Sequence, residues 1–339
     1  MDKFARETFI HNYGEPEYYP TNVYDRDIPS ESLDIYMTSP PCQAFSLAGK
    51  RLGKEDKRGI LFFNSHEFIQ VNKPRFFIFE NVRGLLSDDG GRTFQEWVNM
   101  LGGKSVNGVP VLFPYDESIP YHLYWQVLNA KHHGVPQNRE RVFLIGIRDD
   151  ADNRFQFPRE EHLTKRLKDV LEDEVDEKYL QSKIAVEYLL RHQANKDILK
   201  KEIPQSSSCI PASYYKKPRD VQYIRIKSNL EKYYLSEKMI NGFNKHNENH
   251  NKKGTGFIFE PKNENDIAAC LRANAALCPT DNTIKKEYRI RRLTPRECFR
   301  LMDFPDTFTW PVSDSQAYKQ AGNSIVVNVL YKILKQLPL

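Results

Sequence analysis

Thr38-Ser39-Pro40-Pro41-Cys42-Gln43-Ala44-Phe45-Ser46 is the stretch that decides how this chain folds. Just before it, Leu33-Asp34-Ile35-Tyr36-Met37 is a short β-branched and aromatic run, which predicts a strand ending here. The two prolines fix φ and forbid a helix, so Cys42 is held at the carboxyl end of that strand. Open α/β sheets carry their chemistry at that end. A thiolate is a strong nucleophile near neutral pH. A free cysteine in a turn is also often buried and inert. Cys42 alone leaves both readings open.

Working outward, residues 2–13 read as a helix that Asp2 can cap, ended by Gly14, Pro16 and Pro20. Asn22-Val23-Tyr24 suggests a short strand leading to Asp27 and Ile28. Downstream of the cysteine, residues 47–59 hold three glycines and five basic residues, among them Lys50 and Arg51. That composition suits a cationic loop closing over a phosphate backbone, or simply a solvated loop. Residues 60–72 predict a helix, and Arg75 to Phe79 a buried strand that stops at Glu80-Asn81-Val82. A carboxylate directly after four apolar residues needs a partner, a capping role or a chemical task.

Residues 102–120 read as a long Gly- and Pro-rich loop. His122 to Leu128 and Val142 to Ile147 read as strands. Between them, Arg139 and Arg141 have the alternate spacing that lets both face one site, although a pair of surface arginines would look the same. His132 and His133 lack a third ligand at a suitable spacing, so no metal site is expected. Near the end, Thr294, Pro295 and Glu297 spell a capping box opening a helix to about Met302. Gly322-Asn323-Ser324 precedes the apolar run Ile325 to Leu334. As a helix start it suits either plain capping or a carboxylate ligand.

The alternation over residues 20–148 predicts an α/β fold with a doubly wound, mostly parallel sheet. Residues 159–285 open with a long, highly charged stretch poor in apolar runs and read as a smaller, irregular domain. This gives 1–158 and 286–339 as the two parts of the main domain. The 339 residues carry a net charge of +5, which permits a polyanionic partner without establishing one. Five cysteines without a CxxC pair speak against a disulfide framework and for a reducing compartment. No signal peptide or run of about 18 apolar residues is present, so a cytoplasmic protein without a membrane span is expected.

Taken together, Pro40-Pro41-Cys42-Gln43, Glu80-Asn81-Val82, Gln137-Asn138-Arg139-Glu140-Arg141, Arg292-Leu293-Thr294-Pro295-Arg296-Glu297-Cys298 and Gln320-Ala321-Gly322-Asn323-Ser324 resemble the DNA (cytosine-5) methyltransferases of bacterial restriction–modification systems. Arg58-Gly59-Ile60-Leu61-Phe62 fits the same pattern. The pieces occur in family order across nearly the whole chain.

The resemblance implies a Rossmann-like, S-adenosylmethionine-dependent methyltransferase with a target-recognition domain at 159–285. It implies Cys42, Glu80, Arg139 and Arg141 as catalytic residues. It implies Asp27, Ile28, Pro41, Leu61, Asn323 and Ser324 as cofactor contacts, and Gln43, Ser46, Lys50 and Arg51 as DNA contacts. The expected partner is double-stranded DNA, bound by a monomer in a bacterial or phage-encoded system.

A tRNA cytosine-5 methyltransferase shares the catalytic set, but that branch usually carries Cys-Phe-Thr where this chain has Cys42-Gln43. The family normally opens with a strand and a Phe-x-Gly-x-Gly-Gly turn that cradles the cofactor. Here Met1 falls after that unit. This predicts either an upstream start or a complementing N-terminal polypeptide, and a third possibility is a silent DNA-binding remnant or subunit.

Overall fold

The computed structural model describes residues 2–40 apart from 19 and 21, then 60–151, 154–179, 210, 223–226 and 289–338. Cys42, the DNA-contact candidates Gln43, Ser46, Lys50 and Arg51, Pro41 and most of 159–285 lie outside the described residues.

Helix α1 spans Lys3–Tyr13, and Asp2 caps it by accepting from the backbone of Phe4 and Ala5. Asn22-Val23-Tyr24 is not a strand. Asn22 Oδ1 accepts from Tyr24 N at 3.2 Å, and this local bond curls Val23–Asp25 into a 3-10 turn. Strand β1 is Ile35–Thr38 and helix α2 is Ile60–Asn72. Strand β2 is Phe76–Val82, followed by helix α3 at Arg92–Leu101. The expected loop at 102–120 contains two short strands, β3 at Ser105–Val106 and β4 at Val109–Pro110. Strands β5 (Tyr121–Asn129) and β6 (Glu140–Arg148) follow. Strands β7 (Tyr223–Ile226) and β8 (Arg289–Arg292) form a separate antiparallel pair. Helices α4 (Pro295–Arg300), α5 (Asp314–Asn323) and α6 (Val327–Leu334) close the described chain.

The main sheet has the order β1-β2-β6-β5-β3-β4. The α/β class holds, but the pairing is mixed rather than mostly parallel. β1 with β2 and β3 with β5 are parallel, while β2 with β6, β5 with β6 and β3 with β4 are antiparallel. The reason is the link between β5 and β6, which holds only a 3-10 turn. A connection without a crossover helix returns the chain antiparallel.

Alternation along β2 builds two cores. Phe76 and Ile78 pack on one face, with Phe299, Met302, Tyr318 and Ile333 from α4 to α6 and the loops around them. Phe77 and Phe79 pack on the other, with Phe62, Phe68 and Trp97 from α2 and α3. A strand covered on both faces reads as a continuous apolar run, which is why Phe76-Phe77-Ile78-Phe79 looks as it does. Gly146 opposes Phe77 in the ladder, and a Cβ there would overlap the Phe77 ring. Residues 159–179, expected to open the second domain, send Leu163, Leu167, Val170 and Tyr179 into the interior, the last three joining the first of these cores. The packed body therefore extends at least through Tyr179.

The capping box forms as read: Thr294 and Glu297 bond each other's backbone, with Pro295 first in the helix. Gly322 and Asn323 do not open a helix. They end α5, Ser324 caps it, and α6 begins three residues later. Among the described residues no helix is long and apolar enough to cross a membrane.

Candidate active site

The carboxyl ends of β1 and β2 and the amino end of β6 meet at one place. Thr38 is in register with Phe79, so Ser39 falls beside Glu80. The strand does not stop before Glu80 but runs through it, pairing Glu80 with Phe143 and Val82 with Arg141. Glu80 is buried, at 6 % exposure. Its charge is met from two sides. Arg141 Nε lies 2.8 Å from Oε1, and Ser39 Oγ donates to Oε2 at 2.7 Å. A buried carboxylate is tolerable when both oxygens are satisfied in this way.

Asn81 supplies the link to Cys42. Its Nδ2 donates to Pro40 O at 2.6 Å, while its Oδ1 accepts from Val82 N at 2.8 Å. The chain two residues before Cys42 is thereby tied to the residue after Glu80. Neither Ser39 nor Asn81 is singled out by residue type. Their positions beside Pro-Pro-Cys and directly after Glu80 are the signal that could have found them.

Arg139 and Arg141 have different surroundings. Arg139 is buried and donates to three backbone carbonyls, those of Ser324 at 2.8 Å, Gly322 at 3.1 Å and Ile210 at 3.3 Å. These contacts tie β6 to the α5–α6 junction. Gln137 extends the tie by donating to Leu301 O at 2.6 Å. Burial pushes the Arg139 guanidinium well below its ordinary range, and the neighbouring Arg141 adds to this while Glu80 opposes it. Burial also lowers Arg141, with Glu80 opposing. Arginine keeps its proton even so, because its ordinary value is so high. Both arginines line one small pocket with Leu128, Ala130, Phe143, Ile325, Val326 and Val329.

Of the cofactor candidates, Asp27 and Ile28 sit on a loop that is well anchored. The Arg26 guanidinium stacks 4.4 Å from the Phe68 ring and donates to Tyr36 Oη and Asn64 O. Asp27 N donates to Tyr18 Oη at 2.7 Å, and Ile28 packs against the core beneath α2. Asp27 itself is exposed, and its carboxylate has no partner among the described residues. Leu61 is half-buried at the start of α2. Asn323 is exposed with its amide unpartnered among the described residues, while Ser324 Oγ donates to Gln320 O. An open carboxylate at one end and an open amide at the other suit the amine of adenine and the carboxylate of methionine, so these residues fit S-adenosylmethionine. His132 pairs instead with Glu160 at 2.7 Å, and His133 is fully buried.

The fold and this paired carboxylate–guanidinium site define an α/β methyltransferase. The family model for C-5 cytosine-specific DNA methylases matches residues 1–338. The chain is 32% identical over 341 residues to the type II methyltransferase M1.ScrFI of Lactococcus lactis subsp. cremoris, covering 99% of this chain and 70% of that protein. It is 32% identical over 361 residues to M.HpaII of Haemophilus parainfluenzae, covering 99% and 82%. In fold it is similar to a DNMT2 mutant of Spodoptera frugiperda, with a TM-score of 0.62, 19% identity and coverage of 98% and 89%.

The chain belongs to the C-5 cytosine-specific DNA methylase family. It is a DNA cytosine-5 methyltransferase of the restriction–modification type, and S-adenosylmethionine is its methyl donor.

Proposed function

We propose that the chain methylates carbon 5 of cytosine within one specific duplex DNA sequence, through a covalent bond between Cys42 and carbon 6 of a flipped base. The observation that carries this reading is the Glu80–Arg141 pair at 2.8 Å, joined through Asn81 to the backbone that leads to Cys42.

Carbon 5 of cytosine is a poor nucleophile. Addition of the Cys42 thiolate to carbon 6 turns the ring into an enamine, whose carbon 5 is nucleophilic. Negative charge builds on the ring as the sulfur adds. Glu80 delivers a proton to N3 and accepts from the exocyclic amine, a contact that thymine cannot offer. Arg141 holds the ring carbonyl oxygen, and Arg139 braces the strand beneath it. S-adenosylmethionine supplies the electrophilic methyl group. A base then removes the carbon 5 proton, N3 returns its proton to Glu80 and the thiolate leaves, restoring the aromatic ring.

Asp27, Ile28, Pro41, Leu61, Asn323 and Ser324 hold the methyl donor, with Asp27 toward adenine and Asn323 toward the methionine end. A stacked base cannot reach a thiol on a strand end, so the target base leaves the helix. Gln43, Ser46, Lys50 and Arg51 contact the opened DNA. Within the segment 159–285, the part beyond Tyr179 reads the major groove. In the cytoplasm of its host, such a methylase shields DNA from a cognate restriction enzyme. Purified protein given labelled S-adenosylmethionine and duplex DNA should incorporate label at cytosine carbon 5. No incorporation into any duplex tried, including total host DNA lacking the gene, would contradict the reading.

A further inference from the structure

We infer that Ser39 is a positioning residue for Glu80, acting as a reversible hydrogen-bond partner that accommodates both protonation states of its carboxyl group. The inference rests on the proposed role of Glu80 and adds a residue to it.

The geometry is specific. Ser39 Oγ lies 2.7 Å from Glu80 Oε2 and 2.9 Å from the backbone oxygen of the same residue. One hydroxyl hydrogen cannot serve both acceptors, so it must choose. With Glu80 ionised, the hydrogen goes to the carboxylate, the stronger acceptor. With Glu80 protonated on Oε2, the carboxyl becomes a donor. The hydroxyl then turns, accepts from Oε2 and gives its own hydrogen to the backbone oxygen 2.9 Å away. In both states the Ser39 hydroxyl keeps a hydrogen bond to the Glu80 carboxyl group. Arg141 cannot do this, because a guanidinium only donates.

The charged groups facing Glu80 among the described residues are Arg141 and, farther off, Arg139. Both are cations that can only donate. Among the described residues, Ser39 is thus the one polar side chain in contact with Glu80 that can accept a hydrogen bond from its carboxyl group as well as donate to it. When the proton passes from Glu80 to N3 of cytosine, the base gains it, the carboxylate is regenerated and the hydroxyl turns back to donate. No further proton source is needed for that step.

The test compares wild type, Ser39→Ala and Ser39→Thr at saturating cofactor, on DNA whose target base is 5-fluorocytosine. The readouts are the single-turnover rate of adduct formation and the affinity for DNA. Ser39→Ala should slow adduct formation by roughly tenfold, the worth of one charge-assisted hydrogen bond, with DNA affinity unchanged. Ser39→Thr keeps the hydroxyl and should recover most of the rate. Ser39→Ala at the wild-type rate would overturn the inference. So would Ala and Thr variants that are equally slow, since that pattern marks a packing defect. No adduct from the wild type would overturn the reading of Cys42 and this inference with it. An active wild type matched by Ser39→Ala overturns the inference alone.

Discussion

Arg141 Nε sits 2.8 Å from Glu80 Oε1, and the register of two strands puts it there. Arg141 opposes Val82 directly, and Glu80 lies two residues earlier on the same face of β2. The contact is therefore the diagonal neighbour of an antiparallel pair, within reach of a long side chain. A one-residue slip between β2 and β6 would send Arg141 to the opposite face. The apolar residues flanking it, Phe76 to Phe79 and Val142 to Ile147, are sorted between two cores and forbid that slip.

Replacing Glu80 by Gln keeps the shape but removes the charge and the transferable proton. The methylation rate should fall by roughly two to four orders of magnitude, the usual cost of losing a general acid. DNA affinity should change far less. Single-turnover methylation beside a binding titration checks this, and a variant of near-normal rate would reduce Glu80 to a structural carboxylate.

Arg139 should matter for stability as much as for rate. Arg139→Met removes the donors of the carbonyls of Gly322, Ser324 and Ile210 and leaves them buried. The expected loss is roughly 3 kcal/mol, since each orphaned buried acceptor costs on the order of 1 kcal/mol or more. Denaturant unfolding measures it. Arg141 meets the buried Glu80 carboxylate instead, so Arg141→Met should lose activity and also cost stability, by leaving that carboxylate buried without its cation.

His133 predicts an acid-sensitive fold. It is fully buried, and neither ring nitrogen has a partner among the described residues. Burial holds its imidazole below the ordinary range, and the nearby Lys332 and His132 add to this while Glu160 and Glu161 oppose it. The unfolded chain therefore takes up a proton near pH ~6.5 that the folded chain refuses. Stability from this group is complete above that pH and is lost as pH falls below it. His66, also lowered by burial, acts in the same direction. Thermal unfolding from pH 7.5 to 5 should show a falling midpoint, and His133→Leu should flatten part of that slope. An unchanged slope in His133→Leu would contradict this assignment.

Much of this is legible in the sequence. Helix Ile60–Asn72, the capping box at Thr294 and the buried run Phe76 to Phe79 are written in local pattern, because capping and full burial leave signatures within a few residues. The type of Glu80 and its place after an apolar run marked it as needing a partner. What stayed hidden depends on distant pairing. The antiparallel placement of β6 between β2 and β5 arises from which strands meet, and periodicity carries no such information. The same holds for Arg139, whose spacing suggested a shared face with Arg141 but whose carbonyl partners lie more than 180 residues away for Gly322 and Ser324. Asn22 misled for a local reason: its side chain bonds the backbone two residues on and turns a β-like tripeptide into a 3-10 turn.

The most direct test of the central claim is trapping of the covalent intermediate. Fluorine at carbon 5 blocks the final loss of a proton, so the enzyme should stay bonded to DNA after methyl transfer. Wild-type protein incubated with S-adenosylmethionine and 5-fluorocytosine duplex should yield a denaturant-resistant complex, with mass spectrometry locating the bond at Cys42. Cys42→Ser should bind the same DNA and yield none, because a hydroxyl is a far weaker nucleophile than a thiolate at neutral pH. A wild-type enzyme that methylates ordinary duplex yet forms no adduct, or an adduct that persists in Cys42→Ser, would contradict the account.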